Sequence, residues 1–314
     1  MKNKTSTIQP KNLLVSFSGG ETSAFMAQWL NNHYKEYGYE RIVFVFANTG
    51  LENEQTLEFV DKCDKYFNLN VQWIEADVIH EYRKGTRYYR TDFENASRNG
   101  KPFEEMIKKY GLPNQANPQC SRELKQYPIN AFTKDWFNGE KFHTAIGIRK
   151  DEADRISADH KKRGIIYPLI SSNMIPTSKP MINLYWKSMP FRLELKGYEG
   201  NCSTCWKKSS KKLYQIAQDN PQAFDFMIRM EREYGNYFPK HRADKFMEEG
   251  KEVPKNITFF RGNKSALQII EESKQWAGII KNDAEQYDLQ LELFDLDGES
   301  CEVYTQCANN ELED

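Results

Sequence analysis

"LLVSFSGGETSAFMAQWL", residues 13–30, passes from an apolar run through a glycine pair flanked by hydroxyls into a segment with helical spacing. The run 13–17 suits a buried strand, and Thr22 to His33 suits a helix. Between them lies Ser18-Gly19-Gly20-Glu21-Thr22-Ser23. A strand that ends in a glycine turn and opens a helix offers unpaired backbone N–H groups and the positive end of a helix dipole. Adjacent glycines let an anion approach the backbone, and Ser18, Thr22 and Ser23 add hydroxyl donors. The loop is therefore expected to cradle phosphate. The plainer reading is a tight turn in which Ser or Thr caps the helix. No Lys follows the glycines and G-x-G-x-x-G is not formed, so neither the Walker loop nor the dinucleotide fingerprint describes it.

Outward from this loop the pattern alternates. "RIVFVFA" (41–47) reads as a buried strand, 52–66 as an amphipathic helix and "VQWIEA" (71–76) as a third strand. Residues 77–119 break the rhythm, being polar and rich in Arg, Tyr, Asn and Gly, and read as an insertion or lid. A helix over 121–137, a strand at "FHTAIGI" (142–148), the charged turn "RKDEADR" and a strand at "IIYPLI" (165–170) follow. The expected fold is α/β: a Rossmann-like, doubly wound, mostly parallel five-stranded sheet with a helical C-terminal extension. Residues 1–175 form the nucleotide-binding domain on this reading. Residues 176–281 form a cysteine-knuckle and helical region, with helices around 212–234 and 264–281. Residues 282–314, which contain no Lys or Arg, form an acidic tail expected to be loosely ordered.

Composition narrows the function classes. The 314 residues are 39% hydrophobic and 28% charged, ordinary for a globular protein, and a formal net charge of -1 gives no global attraction to a polyanion. No apolar run approaches the length of a membrane span, and the first residues lack the apolar stretch of a signal peptide, so a cytoplasmic protein is expected. Six cysteines, two of them as Cys202-x-x-Cys205, do not resemble a small secreted disulfide framework.

Residues 18–23 resemble the PP-loop, S-G-G-x-[DT]-S, of N-type ATP pyrophosphatases and of the related phosphoadenosine phosphosulfate (PAPS) reductase family. Further blocks stand in that family's order. "NTGLENEQTLEFV" (48–60) resembles its N-T-G-x-E-x-x-x-T segment, and "CSRELKQYPI" (120–129) its cysteine, basic, Lys and Pro block. "GIRKDEADR" (147–155) resembles G-x-R-x-D-E-x-x-R, and "GYEGNCSTCWKKS" (197–209) the G-x-x-G-N-C-x-x-C ending. The resemblance implies an adenine nucleotide alpha hydrolase-like fold and ATP with Mg²⁺ as the bound nucleotide. It places Ser18, Gly19, Gly20, Glu21, Thr22 and Ser23 at the phosphates, and Asn48, Thr49, Gly50 and Glu52 at the adenosine side and the start of the next helix. Gly147 permits close backbone approach, Arg149 and Arg155 stabilise charge on the phosphates, and Asp151 orients those arginines or helps hold Mg²⁺.

Cys120, Cys202 and Cys205 form the remaining constellation. A C-x-x-C pair can place two thiolates on one metal, with a distant third brought in by the fold. Cluster-bearing sulfonucleotide reductases carry Cys-Cys in the earlier block, where this chain has Cys120-Ser121. The resemblance thus implies a [4Fe-4S] cluster with one open iron, as in tRNA-thiolating relatives, or a fourth ligand from Cys63, Cys301 or Cys307. Zinc and metal-free thiols are the alternatives. Cys301 lies in "GESCEVYTQCANN", without the Gly and His of the reductases' E-C-G-[LI]-H. The run Lys207, Lys208, Lys211, Lys212 with Trp206 and Tyr214 either receives a nucleic-acid backbone or is a solvated helix start.

The expected function is ATP-dependent adenylation of an acceptor with release of pyrophosphate, serving sulfur transfer. The acceptor class stays open between tRNA, DNA and a small metabolite. A sulfur donor protein or a thiol reductant is an expected partner, a homo-oligomer is compatible, and no membrane is involved. The alternatives are thiol-dependent reduction of PAPS or adenosine phosphosulfate, and a non-catalytic nucleotide or nucleic-acid binding module.

Overall fold

The computed structural model describes residues 9–81 and 83–287. Its centre is a six-stranded sheet of β1 (Asn12–Ser16), β2 (Arg41–Asn48), β3 (Gln72–Asp77), β4 (Arg87–Thr91), β5 (Phe142–Ala145) and β6 (Ile165–Ile166), in the order β4-β3-β2-β1-β5-β6. Every pairing is parallel except β3 with β4. Strand periodicity assigns the two faces. Leu13, Val15, Phe44, Phe46 and Trp73 pack on one side with α1 (Glu21–His33) and α2 (Glu54–Phe67). Leu14, Val43, Val45 and Ile74 pack on the other with Ile129 and Phe132. Helices on both faces and a parallel centre make the doubly wound α/β fold.

Two strand expectations are corrected. The sheet has six strands, because the 77–119 segment supplies β4 as an antiparallel edge and then α3 (Lys101–Tyr110). Its sequence, RYYRT, lacks an apolar run because an edge strand has one neighbour and stays half exposed. The expected strand 165–170 is only two residues long, since Pro168 has no N–H to continue the ladder.

The helical part also differs from its periodicity. Residues 122–126 form a π-helical turn before α4 (Tyr127–Trp136), where Pro128 sits in the first turn. After α5 (Lys179–Ser188), the expected helix 212–234 is divided at Pro221 into α6 (Ser210–Asp219) and α7 (Asp225–Tyr234). Next comes α8 (Lys240–Glu248), which buries no residue and so shows no apolar face to a sequence reading. The expected helix 264–281 is α9 (Ala266–Ser273), capped by Ser265, and residues 276–281 are not helical. Helices α3, α6, α7 and α9 share a second core built on Met106, Leu213, Met227 and Ile269. Ile182 and Trp186 of α5 instead join the first face of the sheet, tying the region after residue 175 to the α/β core. Cys301 and Cys307 lie outside the described residues.

Candidate active site

The loop after β1 is folded by its own hydroxyls. Ser23 Oγ accepts from the Ser18 N–H (3.2 Å) and the Ser18 hydroxyl (3.0 Å) and donates to the Gly20 carbonyl (2.9 Å). Gly19 has φ +81°, and a Cβ there would lie 2.6 Å from Thr56 Cγ2, so only glycine fits. Gly147, at the end of β5, has an equally local role: a Cβ would stand 3.2 Å from Ser23 Cα. The first-turn N–H groups of α1 have no intrahelical partner and are available to an anion.

The charged residues around the loop brace it. Glu21 is buried, its carboxylate gripped by Arg192 (3.0 and 3.2 Å) and its carbonyl bonded by the Trp186 indole (3.0 Å). Arg192 also donates to the Ala284 carbonyl at 3.0 Å. Arg149 reaches the Thr22 hydroxyl (3.0 Å) while Asp151 (3.0 Å) and Glu152 (3.1 Å) hold its guanidinium, and Arg155 bonds Glu152 from the other side. Burial opposes the Arg149 charge, but Glu152 and Asp151 outweigh it and hold the pKa above its ordinary value. Asp151 thus pairs directly with Arg149.

These groups line a cavity of about 640 Å³ at the carboxyl ends of β1 and β5, where open α/β sheets place their ligands. All six residues of the loop, Gly147, Arg149, Asp151 and Arg155 border it. The far wall carries Lys179, Cys205, Lys207, Lys208 and Lys212, and the rim is the segment 279–286. Among the described residues none of the lining comes from 77–119, the segment read as an insertion or lid.

Asn48, Thr49, Gly50 and Glu52 stand apart from the lining and are engaged by other protein groups. The Asn48 amide donates to Glu75 (2.6 Å) and to the Ser97 carbonyl (2.8 Å), and its oxygen accepts from the Gly50 N–H (3.1 Å). Thr49 donates its N–H (2.9 Å) and its hydroxyl to Glu52, whose carboxylate lies 3.6 Å from Lys125 Nζ. Gly50, at φ +80°, packs against Gly100, whose N–H donates to its carbonyl at 2.9 Å. From this block only Thr56 borders the cavity.

The cysteine knuckle docks on the same segment. Glu52 and Cys202 pair as an antiparallel bridge, the Ser203 N–H donates to the Leu51 carbonyl (3.0 Å), and Cys202 Sγ lies 3.4 Å from Thr49 Oγ1. Cys205 is buried at the cavity wall, while Cys120 packs in the helical core with Leu124 and Trp206. Among the described residues no three His, Cys, Asp or Glu side chains are grouped to hold a metal ion. Cys63 is core, and burial pushes its thiol pKa well up.

Sequence reasoning treated the basic run as one patch and missed Lys179 and Arg192. Trp206, Lys207 and Lys208 are buried, so that part of the run is neither a solvated helix start nor an exposed stacking platform. Lys207 Nζ donates to the Ser121 hydroxyl at 3.2 Å. Lys208 Nζ donates to the Tyr198 and Ser203 carbonyls, both at 2.9 Å. Burial pushes its pKa down to about 8, against the attraction of the Cys205 and Cys202 thiols. The available signal was the position of two lysines directly after an apolar Trp in a glycine-flanked knuckle.

Residues 12–161, from β1 past the Arg149 turn, match the family model of the phosphoadenosine phosphosulfate reductase domain. Over 209 residues the chain is 33% identical to the uncharacterized nin region protein ORF290 of Escherichia phage lambda, covering 66% of this chain and 69% of that one. Over 231 residues it is 24% identical to the uncharacterized protein MJ0066 of Methanocaldococcus jannaschii, covering 71% of this chain and 42% of the archaeal one. Among the described residues no helix is long and apolar enough to cross a membrane. With the loop, the Arg149 turn and the knuckle gathered around one cavity in a doubly wound sheet, the chain belongs to the phosphoadenosine phosphosulfate reductase family.

Proposed function

We propose that the chain is a PP-loop enzyme that binds ATP as its Mg²⁺ complex in this cavity, adenylates an acceptor and releases pyrophosphate, as the activating half of a sulfur transfer. The observation that carries the reading is the complete S-G-G-x-T-S loop on one wall of a cavity whose other walls present Arg149, Arg155 and Lys179. An acceptor oxygen attacks the α-phosphorus, the bond to the α–β bridging oxygen breaks, and the acceptor proton passes to solvent. Negative charge grows on the departing pyrophosphate. The loop N–H groups and the Arg149 guanidinium meet it without reorganising, because Thr22, Asp151 and Glu152 already fix that guanidinium. The Mg²⁺ travels with the nucleotide and shields its phosphates. The acceptor is a tRNA, DNA or small-metabolite group, with a sulfur donor protein or thiol as partner.

A second reading, thiol-dependent reduction of PAPS or adenosine phosphosulfate, is favoured by one observation: the Cys205 thiol borders the same cavity. Calorimetric titration of the full chain with MgATP, and separately with PAPS, distinguishes the two. Gly20→Asp is the control, since a Cβ at Gly20 meets nothing closer than Ser18 Oγ at 3.9 Å, so the new carboxylate enters the phosphate cradle without distorting the loop. MgATP heat that disappears in Gly20→Asp is expected. Binding of PAPS alone transfers the conclusion to the reductase, and silence from both nucleotides in the wild type removes the nucleotide reading.

A further inference from the structure

The acids that border the cavity do not all serve the phosphate loop. Asp151 and Glu152 hold Arg149 from its own turn, and Glu21 is gripped by Arg192. Asp283 comes instead from the rim, where its Oδ1 lies 3.6 Å from Lys179 Nζ, and its negative charge also acts on the Arg149 guanidinium. Groups other than that lysine place it. The buried Asn183 amide donates to the Asp283 carbonyl (2.8 Å) and the Gln286 carbonyl (2.6 Å), and the Gly197 N–H donates to the Asn282 side chain (3.0 Å). Gly197 makes the room: a Cβ there would stand 1.6 Å from Asp283 Oδ1. The ammonium is mostly buried, at 18% exposure, and the carboxylate half exposed, at 49%. The carboxylate is therefore the member of the pair that can turn out into water.

We propose that Asp283 is a specificity-determining residue of the cavity: its carboxylate is the resident counter-ion of Lys179, displaced only by a ligand whose phosphates extend from the loop to that lysine. The inference rests on the proposed function, because it takes the ligand to be a polyphosphate nucleotide held at one end by the loop. A single phosphate on the loop N–H groups leaves the pair of Lys179 and Asp283 intact. A longer phosphate chain brings a second anion to Lys179, and two anions at one cation repel. The carboxylate then swings into solvent while its backbone stays bound to Asn183. The attraction between Lys179 and the phosphate is partly offset by the ion pair that is lost. Affinity for a polyphosphate is thus set below what the loop and the basic groups alone would give.

Calorimetric titration of the full chain with MgATP, and separately with AMP, tests this in wild type, Asp283→Asn, Lys179→Met and the double variant. Asp283→Asn should bind MgATP about 5-fold more tightly, the worth of a partly exposed ion pair, and should leave AMP unchanged. The gain should vanish in the Lys179→Met background. Gly197→Ala keeps the charge but drives the carboxylate from its place, so it should reproduce the MgATP gain and carries the test if Asp283→Asn disturbs the rim. Binding of MgATP by wild type with no gain in Asp283→Asn overturns the inference. So does a gain that survives Lys179→Met or is shared equally by AMP, since either would report only the general field of one charge. A Gly197→Ala variant with native circular dichroism and wild-type affinity also counts against it. Silence of MgATP in every variant removes the proposed function and this inference with it, an outcome distinct from binding without gain.

Discussion

The two long walls of the cavity are made by opposite means. The loop wall is local: six consecutive residues fold on their own hydroxyls at the end of β1, and glycine geometry decides their shape. The knuckle wall is assembled from a distance, with Lys207 bonded to Ser121, Cys202 bridged to Glu52, and Lys208 closed in by Tyr198 and Ser203. A wall shaped by backbone is intolerant of a single carbon at the right place and indifferent one residue away. A wall of buried side chains is sensitive to charge and solvent instead.

The largest effect is expected on the loop side. Gly19→Ala puts a Cβ at positive φ and 2.6 Å from Thr56 Cγ2, and should lower the unfolding free energy in urea by about 2–5 kcal/mol. A loss below that of an ordinary surface substitution would show that the loop is not shaped by its backbone. On the knuckle side the effect should follow pH. Lys208 has its pKa lowered to about 8 from 10.5, so between those values the unfolded chain holds more protons and stability rises with pH. Below 8 the penalty of the buried charge is constant. The difference between wild type and Lys208→Met should therefore change by on the order of 2–3 kcal/mol across that window, read from urea unfolding at a series of pH values; a flat difference would mean the amine is solvated. The joint between loop and rim is smaller. Arg192→Ala leaves the Glu21 carboxylate buried without its ion pair, and a loss of about 1–3 kcal/mol in thermal or urea unfolding is expected, discounted for the partial exposure of the arginine. Gly20→Ala, whose Cβ would meet only Ser18 Oγ at an ordinary 3.9 Å, should stay within about 0.5 kcal/mol of wild type. Equal losses at Gly19 and Gly20 would remove the contrast between neighbouring positions.

The same contrast explains what could be read in advance. β1, β2, β3 and β5, and the loop at the end of β1, follow from short-range periodicity and glycine placement. β4 does not, because RYYRT acquires strand geometry only by pairing with β3. The break between α6 and α7 is marked in the sequence by Pro221, inside the span 212–234 read as helical. Asn48 is the clearest limit within the site: its type and place at a strand end point equally to a ligand or to a buried partner. Glu75 and Ser97, far along the chain, supply the partner. Lys207 and Lys208 look like surface residues by type, and only the carbonyls and hydroxyl that close over them make burial affordable.

The antiparallel β4 at one edge of the sheet has a consequence for behaviour in a crowded solution. Its outward ladder of N–H and C=O groups is flanked by Arg87 and Arg90, both exposed, and the opposite edge, β6, stops after two residues before a proline. Among the described residues neither border offers the long, flat apolar template through which sheets of different molecules fuse into aggregates.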